Sequence, residues 1–216
     1  MFTQTYHPLR KSSIAFIVGA LITAIGGAVV QAIVQPSTTV SDDMWSYPWS
    51  SDALIPISVL WAFAHLLVIV GLLAFWRSGM AGQSRVAEVG LALAVVGTSL
   101  FLVAELASLP FRFEEVDDIG PRIVGATFGF ATLVSGVGLV LAGRATLRAG
   151  LWVDWRRFTP LVAGIWTLIL VGVGATKALP TGVGLYGICL LALAIALYTR
   201  PVATSSVRST AQVQGA

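Results

Sequence analysis

Six long apolar stretches divide this chain and leave little room between them for anything else. Each is close to the ~20 residues that a helix needs to cross the hydrocarbon core of a bilayer. Hydrophobic residues make up 56% of the 216 positions and charged residues only 11%, well below the roughly 25% charge of soluble domains. We therefore predict an all-α integral membrane protein with a single transmembrane domain over residues 1–200. The predicted spans are 13–34, 54–76, 86–109, 122–143, 159–176 and 181–199.

The first apolar stretch has one alternative interpretation. Arg10 and Lys11 precede it, as basic residues precede the apolar core of a secretory signal peptide. Its apolar run exceeds the roughly 7–15 residues of such a core, so we interpret it as a retained helix. After the last span, residues 201–216 are rich in Ser, Thr, Val and Gln and are predicted to be disordered.

Charged residues alternate between the gaps that separate these stretches. Short loops rich in Lys and Arg stay on the cytoplasmic side of a membrane. The pattern predicts six helices arranged as three antiparallel hairpins in a plasma membrane, with the N-terminus and the C-terminus in the cytoplasm. Ten of the thirteen basic residues then lie inside: Arg10, Lys11, Arg77, Arg85, Arg144, Arg148, Arg156, Arg157, Arg200 and Arg208. Seven of the ten acidic residues lie outside: Asp42, Asp43, Asp52, Glu114, Glu115, Asp117 and Asp118.

The predicted cytoplasmic connection between the fourth and fifth spans mixes arginine with tryptophan. Trp152 and Trp155 suit the headgroup level of a bilayer, and the neighbouring guanidinium groups suit lipid phosphate. The net charge of +3 is therefore assigned to topology and to attraction by an anionic inner leaflet, and no nucleic-acid partner is expected. The arginines predicted to contact anionic headgroups are Arg144, Arg148, Arg156 and Arg157.

Small residues recur every three or four positions along two of the predicted helices. Such stripes let membrane helices approach closely. They fit packing within one chain as readily as packing against a second copy or another membrane protein. The stripes are Gly19, Thr23 and Gly27 in the first span and Gly125, Gly129, Thr132 and Gly136 in the fourth.

Only two strongly ionisable side chains fall well inside the spans, Glu105 and His65. A charge near the middle of a bilayer costs about 2.5–3.5 kcal/mol on insertion scales, so such residues usually face a helix bundle or a watery cavity. Glu105 shares one helical stripe with Thr98, Phe101 and Ser108, and we predict that this face turns inward. His65 lies deeper and is interpreted as a neutral core histidine, with proton relay as the alternative.

Several polar or aromatic side chains fall at a similar depth below the predicted outer surface. They suggest an outward-facing polar layer that binds or transports a small ligand or a proton. Two explanations without a ligand stay open. Polar and aromatic residues are common at the membrane–water interface, and Glu105 and Lys177 also suit a purely structural ion pair. The alternative function is a non-catalytic accessory or scaffold protein that packs against partner helices. The predicted ligand-binding residues are Glu105, His65, Trp61, Tyr186, Lys177 and Gln31, with Ser58 and Thr127 at the same level.

Sequence motifs for catalysis or cofactor binding are missing from the pattern. The chain has no phosphate-binding glycine loop with its lysine, no HExxH and no nucleophile elbow. We therefore expect no enzyme activity, no cofactor and no metal site. A lipid-modifying enzyme, with His65 as general base and Glu105 orienting it, is the third and least favoured hypothesis.

Overall fold

The protein folds into six long helices, which a computed structural model describes over residues 6–174 and 176–199. All six are long and apolar enough to cross a membrane, as predicted, when the fifth is counted together with the 3-10 helix at Asp154–Phe158 that precedes it. Over the described residues the chain contains no β-strand, only one isolated bridge between Met44 and Glu115. The predicted tail at 201–216 lies outside the described residues. The helices are α1 (Tyr6–Val29), α2 (Leu54–Arg77), α3 (Arg85–Ala107), α4 (Ile119–Ala149), α5 (Thr159–Val173) and α6 (Leu179–Tyr198).

The ends of the helices follow local chemistry more than hydropathy. The Ser84 side chain accepts a hydrogen bond from Ala87 N and so caps the start of α3. Helix α4 runs past its predicted end at residue 143 and stops only where Gly150 adopts a left-handed conformation, φ 62°. Helix α1 continues as a π-helix, Val30–Val34, and one further turn that contains Pro36.

Each helix packs against the next one in the chain, and α6 packs against α1, so the six helices close into a ring. The acidic segments meet at one end, which we call the acidic end: Trp45 N donates to Glu114 O at 2.9 Å and Val116 N to Asp43 O at 2.7 Å. At the opposite, basic end, Arg10 donates to the Tyr198 hydroxyl at 2.9 Å.

Apolar side chains fill the basic half of the ring. Phe16, Leu72, Leu91 and Leu139 belong to one buried cluster that also takes in the second half of α6. Trp152 joins this cluster, because its ring stacks on Phe75 with centroids 5.3 Å apart. Trp152 therefore faces the helix bundle and does not present its indole to lipid headgroups, whereas Trp155 is exposed.

The outer surface of the ring is strongly apolar. Large side chains such as Ile25, Ile123 and Phe130 are about 60% exposed. Monomeric soluble proteins rarely expose contiguous apolar patches of this extent, whereas lipid tails cover them without cost. The surface therefore supports a membrane protein independently of the hydropathy of the sequence.

Glycines hold neighbouring helices close together at several contacts. A methyl group added at Gly97 or Gly138 would collide with the backbone of the facing helix in the α3–α4 pair, and one at Gly187 with Ala24 of α1. The predicted stripe of α1 is used in the same way, since Gly19 lies against α2 and Gly27 against Gly184 of α6. In the predicted α4 stripe, Gly136 packs against Leu168, but Gly125 and Gly129 pack against no helix.

Candidate functional site

A cavity of about 590 Å³ lies inside the ring, in the half that points to the acidic end. All six helices line it, and so does the segment 38–53 that joins α1 to α2. Its volume is within the range of ligand pockets, roughly 300–1,000 Å³. Because the basic half of the ring is filled by the apolar cluster, the cavity is closed at its inner end.

Glu105 is the single carboxylate among the described residues that line this cavity. It lies on the inward face of α3, where Thr98 and Ser108 are buried, as the stripe predicts. The Ser58 hydroxyl of α2 lies beside the Glu105 carboxylate and 3.4 Å from the Ser108 hydroxyl. No Lys or Arg within the described part of the chain forms a salt bridge with Glu105.

His65 lies deeper in the same cavity, two turns along α2 from Ser58. Its ring stacks on Phe101 of α3 with centroids 5.2 Å apart, and Phe101 in turn lies 6.4 Å from Phe128 of α4. The Nδ1 atom of His65 is buried and makes no hydrogen bond. Trp61 lines the wall one turn nearer the acidic end and packs over Gly26 of α1.

Tyr186 of α6 contributes to the inner end of the cavity and is 5% exposed. Its hydroxyl lies beside that of Ser135 but forms no hydrogen bond to it. Thr132 and Leu170 complete this inner end. An unpartnered buried hydroxyl is uncommon in folded proteins, and here it adds a further polar group to a mostly apolar surface.

The segment 38–53 folds over the mouth of the cavity, and we call it the cover segment. It inserts Trp45, Tyr47 and Trp49 among the lining residues. The isolated bridge between Met44 and Glu115 attaches it to the α3–α4 connection. An ion pair between Asp42 and Lys177, 3.0 Å long, attaches it to the α5–α6 connection.

Three residues of the predicted layer lie outside the cavity. Lys177 is 77% exposed and binds Asp42, so it does not approach Glu105. Gln31 belongs to the π-helix of α1, where it bonds Gln35 at 2.9 Å and Thr181 at 3.1 Å. Thr127 faces a separate apolar pocket of about 230 Å³ between α3 and α4, and its hydroxyl bonds its own helix.

The ion pair at the mouth shifts the pKa values of both partners. The hydrogen bond from Lys177, together with its charge, lowers the pKa of Asp42 below the ordinary value. The same contact raises the pKa of Lys177. Both groups are therefore charged around neutral pH, although their exposure to water keeps the interaction weak.

The cavity also contains residues that the sequence pattern does not point to. Trp45, Tyr47 and Trp49 belong to a loop, and hydropathy says nothing about where a loop folds. Gly125 and Gly129 look like packing residues, but they leave open space inside the ring. A signal was present in the sequence, since three aromatic residues within a short acidic loop are unusual for a purely solvated connection.

Comparisons with family models, with characterised proteins and with solved structures found no match to this chain.

Proposed function

We propose that this protein binds a small ligand in the cavity around Glu105, reached from the acidic end, and that this end faces away from the cytoplasm. The cavity itself carries the proposal. A bundle that serves only as a scaffold has no need to leave about 590 Å³ unfilled around a carboxyl group, because cavities and carboxyl groups taken out of water without a cationic partner both destabilise a fold.

The charge distribution supports the orientation. The connections at the basic end carry Arg77, Arg85 and the arginines near residue 150, whereas the acidic end carries most of the carboxylates. With this orientation the helices form three antiparallel hairpins in a plasma membrane, and both termini are cytoplasmic. Anionic lipid headgroups are then the partners of the exposed Arg144, Arg148 and Arg157.

Binding fits the described arrangement better than transport does. The cavity ends near His65 and Tyr186, and from there to the basic end the ring is packed with buried Leu, Phe and Ala side chains. A ligand that entered at the acidic end would stop at this level. Passage across the membrane would require the apolar cluster to open.

The scaffold alternative has weaker support. It depends on small-residue stripes that are free to receive a partner helix. Gly19, Gly27 and Gly136 already pack against helices of the same chain, and Gly129 faces the cavity. These four positions offer a partner helix no free face.

Two glycines provide a matched test. A side chain added at Gly129 or at Gly172 meets no atom within 4 Å at its Cβ position. Both glycines are exposed, but Gly129 lines the cavity and Gly172 lies outside its lining. The first side-chain atom is therefore compatible with the fold at either position, but only Gly129→Leu places its further side-chain atoms in the cavity.

The measurement is thermal stabilisation of the purified protein by a library of small compounds. A ligand at a hundredfold excess over its Kd stabilises the folded state by about 2.7 kcal/mol. We expect hits on the wild type to be kept by Gly172→Leu and lost by Gly129→Leu. Hits that survive Gly129→Leu, or a library without hits on the wild type, would contradict ligand binding in the cavity.

A further inference from the structure

The residue types that line the cavity indicate the chemistry of its ligand. Apart from Glu105 and His65, its lining is aromatic, aliphatic or hydroxyl-bearing, and no Lys or Arg of the described chain belongs to it. Two of the three basic side chains at the acidic end are engaged elsewhere. Lys177 binds Asp42, while the Arg112 guanidinium lies 4.4 Å from the centroid of the Phe113 ring and donates to Leu109 O.

Aromatic rings line the same cavity as the Glu105 carboxylate. Ring faces carry negative electrostatic potential and attract organic cations, which proteins recognise through cages of aromatic side chains. Phe101 lies one turn from Glu105 on α3, and Trp61 lies one turn from Ser58 on α2. The aromatic residues that line the cavity are Trp45, Tyr47, Trp49, Trp61, Phe101, Phe128 and Tyr186.

The mouth of the cavity adds a third, independent observation. The cover segment contains Asp42, Asp43 and Asp52, and the adjoining α3–α4 connection contains four more carboxylates. The two segments are joined through backbone hydrogen bonds. A concentration of negative charge around a mouth raises the local concentration of cations and their rate of entry.

Resting on the proposed ligand-binding function, we propose that the ligand is a monovalent organic cation, an ammonium or phosphonium with an apolar body. Its charge lies against Glu105, and its apolar groups lie against the aromatic walls. An inorganic cation fits less well, because Glu105, Ser58 and Ser108 supply too few oxygen atoms to replace a shell of six to eight ligands of the kind that Ca²⁺ takes.

Two ions of nearly the same shape test this assignment, tetraphenylphosphonium and tetraphenylborate, which differ in the sign of their charge. Equilibrium dialysis of the purified protein in an uncharged detergent measures the Kd for each. The control for Glu105→Gln is Glu88→Gln, the same change on the same helix at an exposed position outside the cavity. Benzyltrimethylammonium serves as a smaller cation that competes for the site.

The wild type and Glu88→Gln should bind tetraphenylphosphonium, and benzyltrimethylammonium should displace it. In Glu105→Gln the Kd should rise by about tenfold or more, since a desolvated charge loses its partner. Glu105→Asp, which keeps the charge, should retain part of the affinity. Tetraphenylborate should bind no more tightly to the wild type than to Glu105→Gln.

Two results would overturn the cation assignment while leaving the cavity function intact. One is binding of neither cation by a wild-type protein that still shows library hits lost in Gly129→Leu. The other is an unchanged Kd for tetraphenylphosphonium in a folded Glu105→Gln variant. Cation binding and library hits that both persist in Gly129→Leu would instead place the ligand outside the cavity and contradict both proposals.

Discussion

At the scale of single residues, Glu105 differs from the carboxylates at the acidic end in where it lies. The acidic residues of the cover segment and of the α3–α4 connection lie at the acidic end, where water solvates them. Asp42 even has its own basic partner in Lys177. Glu105 lies on an inward helical face without such a partner, and this difference is why it is the first position to mutate.

The partnership of Asp42 and Lys177 yields a prediction about pKa. Lys177→Met removes the hydrogen bond and the charge that lower the pKa of Asp42, so this pKa should rise toward its ordinary value. Carbon-13 NMR titration of labelled aspartate carboxyl groups, with Asp42→Asn to assign the signal, measures the change. An unshifted titration would mean that the pair does not form in solution.

The ion pair between Asp42 and Lys177 also makes the free energy of unfolding depend on pH in a defined direction. Since the pKa of Asp42 is lowered by folding, its contribution is present above the ordinary aspartate pKa and is lost as the pH falls through the lowered value. Both side chains are mostly exposed, so neither Lys177→Met nor Asp42→Asn should change the melting temperature detectably at neutral pH.

At the scale of helices, close packing through glycine sets the width of the ring. A Cβ at Gly138 would collide with the backbone at Ala94, and one at Gly90 would reach Ala142. These glycines therefore hold α4 in close backbone contact with α3, the helix that carries Glu105. Widening this pair would displace the wall that carries the carboxylate.

Gly138→Ala should therefore destabilise the protein, by about 1–3 kcal/mol, which is the usual cost of overpacking a well-filled contact. The collision involves backbone atoms, which do not move aside as a flexible side chain does. Unfolding in mixed micelles, followed by circular dichroism, measures the loss.

The matched control is Gly172→Ala on α5, where an added methyl group meets nothing within 4 Å. It should leave stability unchanged or raise it slightly, because alanine favours helix by up to about 1 kcal/mol over glycine. Equal effects of the two substitutions would show that helix propensity, and not the contact with α3, determines the result.

The six helices can be predicted from the sequence alone, whereas the residues of the candidate site can be predicted only in part. A bilayer requires about 20 apolar residues per span whatever the packing, so hydropathy alone locates six helices. The depth of a residue below the outer surface can also be predicted, at ~1.5 Å per residue along a helix. It correctly groups Ser58, Trp61, Glu105 and Tyr186, which line one cavity. Rotation about the helix axis is not readable from depth, so Thr127 and Gln31 at the same level turn out to face elsewhere.

Long-range contacts explain the remaining differences. Lys177 is long enough to bend toward Glu105 or away from it, and the fold of the cover segment decides the outcome by bringing Asp42 to 3.0 Å from it. Trp152 joins the core because Phe75 offers it a ring to stack on. Neither contact has a signature in the local sequence.

At the scale of the whole molecule, the two halves of the ring differ in a way that matches the two sides of a membrane. The acidic half contains the cavity and the cover segment, and the basic half is packed and bounded by arginine. If short basic connections remain in the cytoplasm, the cavity opens to the outside. The orientation of the protein in the membrane therefore determines whether the cavity binds ligand from outside the cell or from the cytoplasm.

Labelling of single cysteines in intact cells tests this orientation. Cys189 is the only cysteine of the chain, so Cys189→Ala provides a background into which Asp117→Cys and Leu151→Cys are introduced separately. Both positions are exposed, the first at the acidic end and the second at the basic end. A membrane-impermeant maleimide should label Asp117→Cys in intact cells and Leu151→Cys only after permeabilisation. The reverse pattern would place the cavity mouth in the cytoplasm, and the proposed ligand would then be an intracellular organic cation drawn to the same carboxylate from the other side.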